Sequence, residues 1–210
     1  NSIDDLKMFY QLNPEIERSI NNVINSYKSG KSDKQDIGNI TDWQLKTFQE
    51  NGLNVNKDTK HIIDTDFLKH KEKKHGIKTE TDKTQIPVIE SDIKKIPYII
   101  NDPDVIILGK KSNDNKDSIT YIKQISRNTS YYVETVKNEN GNLEAKTMWI
   151  KKGKVDFKQL SENYLQAQNN NVSEKSTIPL KIITKKDLNV KQNQDNNILN
   201  QAINRNIDLE

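Results

Sequence analysis

The stretch FLKHKEKKHG, residues 67–76, holds two of the three histidines in 210 residues, His70 and His75, among four lysines and one glutamate. Imidazole has an unperturbed pKa near neutrality, so a pair of them can take one proton and give another in a single reaction. Metal-free cleavage of an RNA phosphodiester needs that division of labour. A base removes the 2′-hydroxyl proton, an acid protonates the departing 5′-oxygen, and a cation stabilises the charge that builds around phosphorus. An acid or base in place is worth about 10²–10⁴ in rate, and one preorganised donor to a developing oxyanion about 3–4 kcal/mol.

Two imidazoles also suit a metal. The zinc-helix spacing is i,i+4 with a third ligand nearby, whereas His70 and His75 are i,i+5. At about 100° per residue the two rings stand about 140° apart on a helix, and the lysines repel a cation. No metal site is expected. The chain has no cysteine, so disulfides, Cys-based zinc sites and a thiol nucleophile are excluded. A third reading stays open on these residues alone: a solvated, lysine-rich helix face that carries imidazoles.

The elements that must position these groups follow from the hydrophobic period. NPEIERSINNVINSYK (13–28) predicts a helix, with Asn13 capping, Pro14 in the first turn and an Ile16–Ile20–Val23–Ile24–Tyr27 stripe. SGKSDKQDIG (29–38) reads as a turn-rich linker. Thr41 and Gln44 form a capping-box pattern for a helix that stops at Gly52. TDFLKHKEKKHG predicts a short helix capped by Thr65 and ended by Gly76. SDIKKIPYII predicts another, broken near Lys95 by Pro97. After the NDPD turn (101–104) the period becomes two. Strands are expected at 105–109, 118–125, 130–137 and 143–151, joined by short loops as an antiparallel meander. A helix follows at about 155–168, and then a tail with one strand in IPLKIIT and a weak helix.

Composition sets the frame. Hydrophobic residues make up 32% and charged residues 30%, so a folded core with polar flanks is expected. The net charge of +3 is uneven: residues 57–154 carry 20 Lys/Arg against 15 Asp/Glu, a balance compatible with a polyanionic ligand. No apolar run reaches the ~18 residues of a membrane span. No signal peptide is visible and the chain starts without Met, so its compartment does not follow from its ends.

From His70 to Lys152 the order KHKEKKHG, SDIKKIPYIINDPDVIILGKK, DSITYIKQI, TSYYVETVK, NLEAKTMWIKK resembles the phage-type nuclease domains of the barnase–EndoU–colicin–RelE-like (BECR) superfamily. In those domains an H-x4-HG element precedes a helix with an interior Pro and a P-D turn. A lysine-bearing strand, a YYVE strand and an L-A-x-T-M strand follow. The resemblance implies an α+β fold, N-terminal helices packed on a four-stranded antiparallel sheet. It implies catalytic His70, His75, Lys123 and Thr147, with Lys123 stabilising the pentavalent phosphate. Tyr131, Tyr132 and Glu134 are the implied substrate-binding residues, and no cofactor is implied. His61 lies outside the motif and reads as structural. One departure bears on His75: the joint after HG, often rich in alanine and glycine, is here the polar and charged IKTETDKTQIPVIE.

The division expected is residues 1–56 as a helical accessory region, 57–168 as the nuclease-like domain and 169–210 as a polar, mobile extension. The function implied is a metal-independent endoribonuclease that leaves 2′,3′-cyclic phosphate ends, a toxin, effector or phage-derived domain. Its partners would be RNA and a cognate immunity or inhibitor protein. It would act in the cytoplasm, with a parent protein that is secreted or phage-associated. The alternative is a catalytically weak RNA-binding or scaffold domain of a phage- or mobile-element-derived protein.

Overall fold

Helix α2 (Pro14–Lys28) forms where its apolar stripe and its first turn agree. Pro14 needs no N–H there, Glu15 and Glu17 face the positive end of the dipole, and Ile16, Ile20, Val23 and Ile24 are buried. The Asn13 side chain does not cap α2; its amide donates to the Phe9 carbonyl (2.8 Å), tying α2 to α1 (Ser2–Leu12). Helix α3 (Asp42–Glu50) opens on the complete Thr41/Gln44 capping box. The break expected near Lys95 separates α5 (Glu90–Ile93) from α6 (Ile96–Asn101), which places Pro97 in a first turn. This computed structural model describes residues 2–137, 139–170 and 180–189. Among them no helix is long and apolar enough to cross a membrane.

The meander is present as β4 (Val105–Lys111), β5 (Asp117–Ile125), β6 (Asn128–Val136) and β7 (Leu143–Lys152). The expected count of four strands is corrected, however: among the described residues the sheet of this α+β fold has eight. The path runs β1 (Lys34–Asn39), β2 (Lys60–Asp64), β7, β6, β5, β4, β8 (Lys181–Thr184), and β3 (Gln85–Ile86) also pairs with β7. Strand β1 was hidden because KQDIGN buries one apolar side chain, Ile37, and pairs only on one side. An edge strand is specified by backbone hydrogen bonds more than by alternation. Strand β2 runs straight into the following helix, so its pattern has no turn to bound it. The strand expected in IPLKIIT is β8, antiparallel to β4. The remainder of the expected C-terminal extension, residues 171–179 and 190–210, lies outside the described residues.

The two faces of the sheet carry different cores. On the covered face, Ile119 and Tyr121 of β5, Tyr132 and Val136 of β6, and Leu143, Met148 and Ile150 of β7 pack under Ile20, Phe48, Phe67 and Ile99 from the helices. Burying each such side chain contributes about 1.5–3 kcal/mol. On the outer face, Val105, Ile107, Ile122 and Tyr131 pack with Trp149 and with Phe157, Leu160 and Tyr164, the last three from helix α7 (Phe157–Asn170).

Candidate active site

Helix α4 (Thr65–His75) follows β2 with no loop between them. Its cap is Asp64, whose carboxylate accepts from the Phe67 N–H (2.8 Å), one residue earlier than the expected Thr65. Phe67, Leu68 and Lys71 face the core, which turns His70 to solvent and leaves His75 half-buried. Strand β2 runs parallel to β7 only at His61–Leu143 and Ile62–Glu144, and β3 rejoins the same edge at Ile86–Ile150 and Gln85–Lys151. Helix α4 packs against β7 from the covered face, with Phe67 over Tyr132.

A β-bulge in β7 decides which groups meet there. Val133 pairs with Thr147 and Glu134 with Ala145, so Lys146 is an extra residue. Two β7 residues oppose one of β6 there, so Thr147 lies on the outer face with Val133 while Lys146 falls outside the strict alternation. Lys146 is near enough to His70 for its charge to act on the ring. Partial burial pulls the His70 pKa below the ordinary histidine value, and the charges of His75, Lys146, Lys74 and Lys73 pull it further. The ring is therefore mostly neutral at pH 7. Lys146 also pairs with Asp114 (3.5 Å) of the β4–β5 hairpin. The Ser112 hydroxyl first, and Lys146 among the charges nearby, hold the Asp114 carboxyl down at about 2.

His75 is placed by the segment after it. A Cβ on Gly76 would lie 2.5 Å from the Glu72 carbonyl oxygen, so only glycine lets the chain leave the helix so closely. Thr79 donates its hydroxyl to the same carbonyl (2.6 Å) and accepts from the Gly76 N–H (3.0 Å). The charged joint then brings Glu80 back, and His75 Nδ1 donates to its carboxylate (2.8 Å).

The structure brings together some of the residues expected to act and separates others. His70 and His75 share α4 and Lys146 approaches His70, whereas Thr147 lies on the outer face with Val133. Lys123 does not join them. It lies in line with Ile119 and Tyr121, on the covered face, where its ammonium donates to the Asp102 carboxylate (3.0 Å) and carbonyl and sits 4.7 Å over the Tyr98 ring. Alternation put Lys123 and Tyr121 on one face, as expected, but that face is the core. Tyr132 and Glu134 are fully buried there too. Glu134 holds His61 Nδ1 (2.9 Å), and His61 Nε2 faces the Gln44 side-chain oxygen (3.0 Å). Tyr131 is on the outer face but lies stacked under Trp149, with ring centroids 5.0 Å apart and planes at 9°. Trp149 is partly exposed on this face, as are Phe157 and Tyr164 of α7.

Lys146, Glu80 and Trp149 were not identified from the sequence. Lys146 stands in KTMW next to the expected Thr147, but strict alternation sends neighbours to opposite faces, and nothing in the sequence announces a bulge. Among the described residues no group of three or more His, Cys, Asp or Glu side chains is disposed to hold a metal ion.

A family model described as "phage-Barnase-EndoU-ColicinE5/D-RelE like nuclease3" matches residues 38–158, which span β2 through β7 and the whole of this site. No curated protein and no solved structure matches the chain.

Proposed function

Because this chain belongs to the phage-type barnase–EndoU–colicin E5/D–RelE-like nuclease family, we propose that it is a metal-independent endoribonuclease acting by 2′-hydroxyl transesterification. The observation that supports the proposal is the approach of Lys146 of β7 to His70 of α4, with His75 five residues further along the same helix.

The roles follow from the surroundings of each group. His70, with its lowered pKa, is the general base that takes the 2′-hydroxyl proton. The 2′-oxygen then forms a bond to phosphorus as the bond from phosphorus to the 5′-oxygen breaks. His75 gives that 5′-oxygen its Nε2 proton, and the Glu80 carboxylate on Nδ1 compensates the charge of the protonated ring before transfer. Lys146, rather than the buried Lys123, supplies the cation for the phosphorane, and the Thr147 hydroxyl donates to a phosphate oxygen. Trp149 offers a ring face to an unstacked base. The products are a 2′,3′-cyclic phosphate and a free 5′-hydroxyl. Uncontrolled activity of this kind is harmful to its host, so the proposal includes an effector or toxin role and a protein inhibitor.

The test is cleavage of a single-stranded RNA by purified protein in EDTA, with end-group analysis. The proposal expects cyclic phosphate ends, and it expects His70→Ala and His75→Ala to lose at least 100-fold in rate while RNA affinity stays within about threefold. Salt-dependent RNA binding with no histidine-dependent cleavage would instead assign the chain a binding role.

A further inference from the structure

We propose that Glu80 is the positioning residue for His75, and that the charged segment from Ile77 to Thr84 exists to carry it. The inference rests on the catalytic role just given to His75. His75 Nδ1 donates to Glu80 Oε2 at 2.8 Å, and the Glu80 side chain is only 6% exposed. The other carboxylate oxygen is also held: Glu80 Oε1 accepts from the Asp82 N–H (2.9 Å). Asp82 in turn accepts from the Thr84 N–H (2.8 Å) and hydroxyl (2.7 Å) and from the Gln85 amide (3.0 Å), which anchors it to the start of β3. At the other end Thr79 clamps the last turn of α4. The segment is therefore closed on itself at both ends, and what it delivers between them is one carboxylate to one ring nitrogen.

The chemistry of that contact is directional. A carboxylate can only accept, so Nδ1 keeps its proton in both charge states of the ring, and the proton that leaves or returns is the one on Nε2. Among the described residues Nε2 makes no hydrogen bond. Glu80 thus selects the Nδ1–H tautomer of the neutral ring and leaves Nε2 as the single working nitrogen. The hydrogen bond from His75 is also the main reason the Glu80 carboxyl lies below its ordinary range, so the contact is felt by both partners. The charged groups around the pair are His70 on the same helix, Asp82 beside Glu80, and Lys151 of β7, which acts on Asp82. None of these reaches Nδ1 in place of Glu80.

The decisive measurement is 15N NMR of His75 in the full chain, in the wild type and in the Glu80→Ala and Glu80→Gln variants, alongside kcat and KM on a single-stranded RNA. In the wild type the neutral His75 ring is expected as the Nδ1–H tautomer. Glu80→Ala is expected to shift it to the Nε2–H tautomer and to lower kcat by about 10- to 100-fold with KM nearly unchanged, less than loss of the acid itself. Glu80→Gln keeps an acceptor oxygen and is expected to restore the tautomer and most of kcat. An unchanged His75 tautomer in Glu80→Ala overturns the inference. So does a loss of kcat that Glu80→Gln does not recover. If the wild type cleaves no RNA, the nuclease reading fails while the tautomer measurement still decides whether Glu80 orients His75.

Discussion

The Lys123 ammonium is bound to the Asp102 carboxylate at 3.0 Å, with its side chain only 6% exposed, on the opposite face of the sheet from Thr147. The pair fastens β5 to the turn after α6, and Lys185 fastens the same carboxylate from the far side (2.7 Å). Lys123→Met should therefore act on stability. A loss of about 1–3 kcal/mol is expected from the broken hydrogen bonds, with Asp102 spared the full cost by its partial exposure. Urea unfolding followed by activity normalised to folded protein checks this. An intact fold with cleavage down 100-fold would return Lys123 to the reaction centre.

Lys146→Ala should show the reverse pattern. Its side chain is 39% exposed and its pairing with Asp114 is a surface one, worth at most about 1 kcal/mol. Thermal stability should change little, while kcat should fall by about 10²–10³ if Lys146 faces the phosphorane. Asp114→Asn frees the same ammonium from its resting partner and should tighten RNA binding by up to about fivefold. Fluorescence anisotropy and single-turnover kinetics read the two effects separately.

The pH profile should carry the mark of His70. A base must be neutral to work, and the pKa of His70 is lowered in the folded chain. Activity should therefore persist below the ordinary midpoint of about 6.5 before an acid limb appears. The Lys73→Ala/Lys74→Ala double variant removes two of the charges that lower it, so its acid limb should move to higher pH. The sign for stability is the same. In the window between the folded value and about 6.5 the unfolded chain binds more protons, so stability rises with pH there and falls as the pH drops through it. NMR titration of the His70 ring decides both; a midpoint above the ordinary value would contradict the assignment.

His61 and Glu134 should matter to folding alone. Both are buried, at 2.9 Å, and the Gln44 side chain that receives His61 Nε2 is itself held by the Thr41 N–H and the Ile100 carbonyl. Removing one partner leaves a buried polar group or charge without compensation, so His61→Ala and Glu134→Ala should each cost about 3–5 kcal/mol. Activity per folded molecule should not change. A Glu134→Gln variant that folds normally but cannot cleave RNA would overturn the separation of this network from the site.

The sequence by itself determined the parts that depend on local periodicity and end chemistry. The 3.6-residue stripe of α2, the Thr41/Gln44 box, the break at Pro97 and the four alternating strands of the meander are each encoded within about ten residues, so they could be read directly. His70 and His75 were singled out by their type and their placement before Gly76. Tertiary structure alone decided which faces those strands present. The register slip at Lys146 breaks the alternation of β7, so the pattern of the strand does not tell where that lysine points. The helices cover the face that carries Lys123, so a cation expected to meet phosphate meets Asp102 instead. Edge pairing also lay beyond the sequence, because β1 and β2 are selected by backbone groups that every residue has. The physical reason is common to these cases. Periodicity is a property of neighbours along the chain, whereas a site is made by groups that are distant along it and are brought together only when the core chooses which side of the sheet to bury.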